Sequence, residues 1–425
     1  MSGTVVNNIV RDSGVIAATA AGLNWNATAI TASTVTVEGG NGYWINTTSN
    51  TCTITLPSSA EKGDQIVLID YLRTWGTNKI IIDSNGLNYQ GQADTYIVEY
   101  NTDGQSVNIV YSDATQGWVP LDDDASAYEP TQPPTQQAIF GYGLTSGAVS
   151  MTNLISSSGV AATDTTGVGT DRYYPAATCY GGDKAIFGYG YTSSSVSMTN
   201  LVNNVGVVAA DVTGVGTARR QLAAAKYGTD KALFGYGNTV ASGDVFVSLT
   251  NLVSNSGVVA ADVTGVGTAR QQPSAAGYGT DKAIFGYGYS GSKVSMSNLV
   301  SNLGVVAADV TGVGTARTAL AAAGYGTDKA IFGYGDPAAA GNTSLTNLVS
   351  NSGVVATDTT GVGTARSDLA AASYGGDKAI FGYGYAGGSV SMTNLVNNLG
   401  VVAADVTGVG TARYVLAAAG FSYSA

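Results

Sequence analysis

"QQPSAAGYGTDKAIFGYGYSGSKVSMSNLVSNLGVVAADVTGVGTAR", residues 271–317, is one period of a chain that repeats itself. The Phe-Gly-Tyr-Gly inside it starts at Phe140, Phe187, Phe234, Phe285, Phe332 and Phe381, at spacings of 47, 47, 51, 47 and 49 residues. Turn signals cut the period into four short strands: a small-residue strand such as "LAAAGYG", then "KAIFGYG", "VSMSNLV" and "GVVAADVTGVG". Four strands in a period of this length match one blade of a β-propeller. The first period, opening at "QQAIFGYG" (136–143), lacks its small-residue strand, and the chain ends on a surplus one, "YVLAAAGFSYSA" (414–425). Three strands at the start and one at the end complete a blade, close six blades and remove the sheet edges that an open stack exposes.

The repeated residues read as framework. "AAA" suits strands crowded round an axis. In "AIFGYG" simple alternation puts Phe and Tyr on one face and glycine on the other, so that aromatic rings fill the space between blades. An arginine stands before every small-residue strand: Arg172, Arg219, Arg270, Arg317, Arg366 and Arg413. An aspartate recurs with it: Asp164, Asp211, Asp262, Asp309, Asp358 and Asp405. A catalytic group is needed once, so a residue present six times is expected to be a structural pin, here through forked Arg–Asp hydrogen bonds. An Asp-Lys pair, led by Asp183, Asp230, Asp281, Asp328 and Asp377, precedes the other five copies. It belongs at the turn between first and second strands, which the opening blade does not need, so "QQ" replaces it there. The period resembles the kelch repeat, with its arginine before the innermost strand, its Gly-rich second strand and a C-terminal strand that completes the first blade. It departs from kelch in ending the second strand "FGYG" and in lacking the fourth-strand Trp, so the likeness implies architecture and no partner.

Before the repeats, residues 25–121 hold short alternating runs such as "TCTITLP", "DQIVLIDYL" and "QSVNIVYSD", punctuated by Gly, Asn and Asp. These predict a β-rich module. Residues 1–24 are Ala-rich and read as an arm. Residues 122–137, "DDDASAYEPTQPPTQQ", carry three consecutive acids and three prolines and read as a charged linker. Residues 138–425 form the propeller, and the whole chain is expected to be all-β.

Composition narrows the function. The net charge is −11, with 18 cations against 29 acids, which disfavours binding to a phosphate backbone. No apolar run is long enough to span a membrane, and no basic amphipathic stretch addresses one. Histidine is absent, removing the commonest general base and metal ligand. Cys52 and Cys179 fall in different domains and read as packing residues, so no disulfide, metal or cofactor is expected.

Function is sought where the periods disagree. They differ just after the arginine ("YY", "RQ", "QQ", "TA", "SD", "YV") and just after "FGYG". Strand direction alternates across a blade, so both turns emerge on one face. That face would carry Tyr173, Tyr174, Tyr191, Arg220, Asp244, Phe246, Tyr289, Lys293, Asp336, Tyr385 and Tyr414. Tyrosines among Ser, Gly and Asn make an adaptable, low-entropy contact surface that also suits sugar stacking. Drift in exposed loops would leave the same variation without function.

The stretches "CTITLPSSAEKGDQIVLIDYLRTWGTNKIIIDSNG" (52–86) and "VNIVYSDATQGWVP" (107–120) resemble a module of cyanophage tail fibres and related virion proteins. The array "SNLVSNLGVVAADVTGVGTAR" (297–317) with "AAAGYGTDKAIFGYG" (321–335) is similar to repeats of the same group. The resemblance implies a homotrimeric fibre in the virion. Its N-terminal arm would dock on tail or baseplate proteins, and its outer end would face a host-surface glycan or protein. Two other functions remain open. One is a purely architectural baseplate, neck or head appendage. The other is a glycan-active enzyme, for which only Asp244 and Asp336 are loop acids that break the pattern.

Overall fold

The computed structural model describes residues 23–121, 136–239, 245–337 and 341–421. The expected arm and linker lie outside the described residues except for the last two positions of each, Leu23 and Asn24, and Gln136 and Gln137, and Asp244 lies outside them as well. The described residues form strands, turns and bends, with no helix. The chain separates into two compact units, Met1–Pro133 and Pro134–Ala425.

Among its described residues the first unit has nine strands: β1 (Asn24–Trp25), β2 (Thr34–Thr36), β3 (Asn41–Ile45), β4 (Cys52–Thr55), β5 (Gln65–Asp70), β6 (Ile80–Asp83), β7 (Val98–Tyr100), β8 (Ser106–Asp113) and β9 (Gly117–Pro120). They form two sheets, β1-β3-β5-β8-β9 and β2-β4-β6-β7. Successive strands up to β6 alternate between the sheets, so the pairs β1–β3, β3–β5, β2–β4 and β4–β6 are parallel. Parallel neighbours need a long return path, and here a strand of the other sheet supplies it in place of a helix. Alternation in the sequence becomes alternation of burial. Cys52, Ile54 and Leu56 point into one core with Ile66, Leu68, Val107, Ile109, Trp75 and Trp118. Burial raises the Cys52 thiol to about 11, as fits a packing residue.

In the second unit, five repeats each give a three-stranded antiparallel sheet in chain order, for example Ser274–Tyr278, Lys282–Tyr289 and Lys293–Val300. The sixth sheet joins the two ends of the unit. Gln137–Gly141 pairs with Thr152–Ile155 on one side and with Ala417–Phe421 on the other, in register from Gln137↔Phe421 to Gly141↔Ala417. Each small-residue strand packs beside the corresponding strands of two other repeats, and Ala417–Phe421 lies between Ala370–Tyr374 and Ala176–Tyr180.

Two details differ from the sequence-based expectation. The fourth segment of each repeat is not a continuous strand. It touches the third through isolated bridges such as Ser297↔Val310 and Val300↔Val306, and a buried asparagine pins the stretch between them. Asn298 donates through Nδ2 to the Ala307 carbonyl (3.0 Å) and to Asp309 Oδ1 (2.9 Å). Also, Phe and Tyr of "FGYG" do not share a face. Tyr142, Tyr189, Tyr236, Tyr287, Tyr334 and Tyr383 all have φ of 62–64°, and this left-handed residue breaks the alternation. Phe140 consequently packs on Tyr383 of one neighbouring repeat (5.4 Å between ring centres), whereas Tyr142 packs on Phe187 of the other (5.1 Å). The glycine between them is needed for close approach: a Cβ on Gly286 would sit 2.7 Å from the Phe332 ring.

The turn before each second strand links repeats through the backbone. The Gly228, Gly279 and Gly326 amides donate to the carbonyls of Asp281, Asp328 and Asp377, all at 2.7 Å. Gln136 takes over this role where the Asp-Lys pair is missing: its carbonyl accepts from the Gly375 amide at 2.8 Å and its side-chain Oε1 from the Gly376 amide at 3.1 Å.

Candidate functional site

The repeated polar residues form one buried assembly per repeat. Arg317 is fully buried. Its Nε donates to the Tyr334 carbonyl (2.9 Å), Nη1 to the Thr315 carbonyl (3.1 Å) and Nη2 to Asn347 Oδ1 (2.6 Å). Its guanidinium lies 4.4 Å from the centre of the Tyr287 ring, in the same 271–317 period, whereas Tyr334 and Asn347 belong to the next. The expected Arg–Asp fork is replaced by an Arg–Asn bond, with Asp358 Oδ1 standing 3.8 Å from Nη1. The carboxylate is already engaged: it accepts from Thr315 Oγ1 (2.6 Å), the Thr315 amide (3.0 Å) and Asn347 Nδ2 (2.9 Å). Burial opposes ionisation of Asp358, but the bonds from Thr315 and Asn347 outweigh it and hold the group below its ordinary value. The same Arg Nη2–Asn bond recurs at Arg172, Arg219, Arg270, Arg366 and Arg413. Sequence reading missed the six buried asparagines, although "N-L-V/I" recurs in every period.

The non-repeating positions begin at the residue next to each arginine, at the same end of these strands. The residue after each arginine bridges the residue after "FGYG": Tyr173↔Tyr191, Arg220↔Asn238, Gln271↔Tyr289, Ser367↔Tyr385 and Tyr414↔Leu144, with Thr318 paired to Asp336. The two variable turns of a repeat therefore lie side by side, and most of the candidate residues fall into four groups. Tyr173 contacts both Tyr174 and Tyr191 (5.4 and 5.3 Å), and the Arg220 guanidinium sits 4.7 Å from the Tyr191 ring centre. Tyr385 packs on Tyr414 (5.5 Å) and Phe246 on Tyr289 (5.8 Å, edge-on). Lys293 Nζ pairs with Asp336 Oδ2 at 2.7 Å and donates to the Pro337 carbonyl at 2.8 Å. Most of these side chains are half-buried, and Tyr385 is 40% exposed. Burial lifts the Tyr173 hydroxyl above its ordinary value, as does the nearby Tyr191.

One position further along, sequence reading singled out Tyr174 alone. The structure sets beside it Gln221, Gln272, Ala319, Asp368 and Val415, which line one shared cavity. The second letters of the pairs "RQ", "QQ", "TA", "SD" and "YV" were the signal for them. No protein-family model matches the chain, and no curated protein matches it.

Proposed function

We propose that residues 138–425 form a six-bladed, kelch-like β-propeller closed by the C-terminal strand. In this reading the chain is a tail-fibre component of a virion, and the variable face of the propeller attaches to a host-surface glycan or protein. Pairing of Gln137–Gly141 with Ala417–Phe421 supports the closure, as does each small-residue strand having two like neighbours. The observation that carries the functional reading is the pairing of the two non-repeating positions within each repeat. It gathers aromatic, amide and charged groups onto one edge of an otherwise uniform frame, the composition of an adaptable contact surface. Binding is the fitting role: of the two loop acids, Asp336 is paired with Lys293 at 2.7 Å and Asp244 lies outside the described residues, so no facing pair of carboxylates is in view. Self-association as a trimer would fall to the N-terminal unit, where Trp25 stacks on Trp44 (4.8 Å) and Tyr71 and Leu72 are exposed.

The test is adsorption of the labelled full chain to a panel of cyanobacterial strains. Saturable binding to at least one strain is expected, with loss of binding in the triple variant Tyr173→Ser, Tyr191→Ser, Tyr385→Ser. Absence of binding to every strain, or undiminished binding by the triple variant, would leave the architectural role as the better reading.

A further inference from the structure

Six residues, one from each repeat, surround the mouth of a cavity of about 90 Å³: Tyr174, Gln221, Gln272, Ala319, Asp368 and Val415. All six have φ between 49° and 55°, the left-handed region that favours glycine or asparagine. A chain with 58 glycines has placed neither residue at any of them. The backbone there forms a collar in which the amides of Tyr174, Gln221, Gln272, Asp368 and Val415 donate to the carbonyls of Val415, Tyr174, Gln221, Ala319 and Asp368, at 2.7–3.4 Å. The collar fixes six side chains round one opening, and those side chains, unlike the frame beneath, are almost all different.

Their chemistry is concentrated. Gln272 donates through Nε2 to Asp368 Oδ1 (3.3 Å) and accepts at Oε1 from Thr318 Oγ1 (3.0 Å), while Ser367 Oγ donates to Asp368 Oδ2 (3.2 Å). The Tyr174 hydroxyl, hydrogen-bonded to Gln221, feels the Asp368 charge. Leu222, Leu320, Leu369 and Leu416 provide an apolar floor, and no lysine or arginine lines the cavity. A carboxylate, two primary amides and a phenol over an apolar floor present planar donors and acceptors beside a dry surface. A pyranose matches both, with vicinal hydroxyls on its edge and C–H groups on its face. An anion would meet Asp368, and a simple cation would leave the N–H donors of both amides unused. The volume is several times that of one water and suits one sugar edge, not a longer segment.

We infer that this mouth binds the terminal pyranose of a neutral glycan, its vicinal hydroxyls shared between Asp368, Gln272 and Gln221. The inference rests on the reading of this face as the host-binding one and names the ligand class that the face would take. Burial raises Asp368 to about 6, so at neutral pH the group is an ionised, poorly solvated acceptor that gains from hydroxyl donors.

The test titrates the full chain with methyl pyranosides of glucose, galactose, mannose, xylose and N-acetylglucosamine, with n-butylammonium as a cation control, by saturation-transfer NMR. At least one glycoside is expected to bind in the millimolar range, on the order typical of single-ring contacts. Asp368→Ala is expected to weaken it by about tenfold or more, and Gln272→Ala, which leaves the charge in place and guards against misfolding, by several-fold. Binding of no glycoside, equal binding by both variants, or preference for butylammonium overturns the inference. Glycoside binding without cell adsorption would sink the host-attachment reading alone. Cell adsorption that neither free glycoside nor Asp368→Ala reduces would sink the inference alone.

Discussion

The inner assembly and the mouth of the repeat unit use the same backbone in opposite ways. At the arginines, six copies of one arrangement agree closely, with Arg Nη2 to Asn Oδ1 at 2.6–2.7 Å in every case. Two residues further along, the backbone still agrees, with φ of 49–55°, while the side chains run Tyr, Gln, Gln, Ala, Asp and Val. The contrast teaches where identity is a physical requirement. A buried guanidinium needs partners, so Nη1 and Nη2 keep the same Thr and Asn acceptors in all six copies, and only Arg219 Nε is left without one. The mouth needs only its backbone bonds, and its side chains are free to differ.

The comparison breaks most completely if the frame is opened. Ending the chain at Arg413 removes Ala417–Phe421, exposes the edge of Gln137–Gly141 and takes packing from Ala176–Tyr180 and Ala370–Tyr374. Calorimetry of the truncated chain should show loss of the sharp unfolding transition of the repeat unit, with aggregation through the new edge. An unaltered midpoint would mean that the joining strand adds nothing. The next largest effect is expected at a single pin. Arg317→Met leaves Asn347 Oδ1 and the Tyr334 carbonyl without their donor, at a cost of roughly 3–5 kcal/mol in urea unfolding. Arg317→Lys should recover little of this, because an ammonium neither forks between those two acceptors nor lies flat on Tyr287.

Much of the frame was legible in the sequence because it is periodic. Repetition every 47–51 residues revealed the repeats, and the displaced small-residue strand at 414–425 pointed to the pairing of the two ends. What escaped were effects that side-chain pattern does not encode. Period-two alternation cannot report that Tyr142 and its counterparts take positive φ, which sends their rings to the other neighbour. The Arg–Asp ion pairs expected from charge are present, Arg317 Nη1 to Asp358 Oδ1 at 3.8 Å, but the hydrogen bonds expected between them go instead from the guanidinium to the neutral Asn347 and from Thr315 to the carboxylate. In the first unit, the alternating runs identified the strands but not that they would pair in parallel between two sheets. At the candidate site, variation marked two turns that the structure places side by side, but only the left-handed collar distinguishes Asp368 and Gln272, which line the cavity, from their neighbours on the rim.

Asp368 tests the mouth on its own terms. Its folded-state value of about 6 lies above the ordinary 3.8, chiefly through burial, with Asp336 nearby adding to the shift and Ser367 opposing it. Between those values the native chain holds more protons than the unfolded one. Stability from this group is therefore complete below about pH 4 and is lost as pH rises through 6. Asp368→Asn should be more stable than the parent at pH 8, by roughly 1–3 kcal/mol, and equal to it near pH 4. Tyr174 and the Lys293–Asp336 pair are the other titratable groups close by. A stability difference that does not vary with pH would show that Asp368 is better solvated than its position implies.

The smallest change in stability is expected at Tyr385, and it discriminates most sharply between frame and face. Its ring is 40% exposed and meets Tyr414 at 5.5 Å, so Tyr385→Ala removes one edge contact and leaves no buried polar group behind. The unfolding free energy should move by about 0.5 kcal/mol or less. Cell adsorption should nevertheless fall several-fold, since exposed aromatic anchors carry a disproportionate share of contact energy. Gly286→Val would do the reverse, driving a side chain into the Phe332 ring without touching the face. It should lower the unfolding midpoint while leaving adsorption by the folded fraction intact. If instead the two properties fall together in both variants, the variable residues are part of the frame, and their differences between repeats mark packing adjustments and no surface for a ligand.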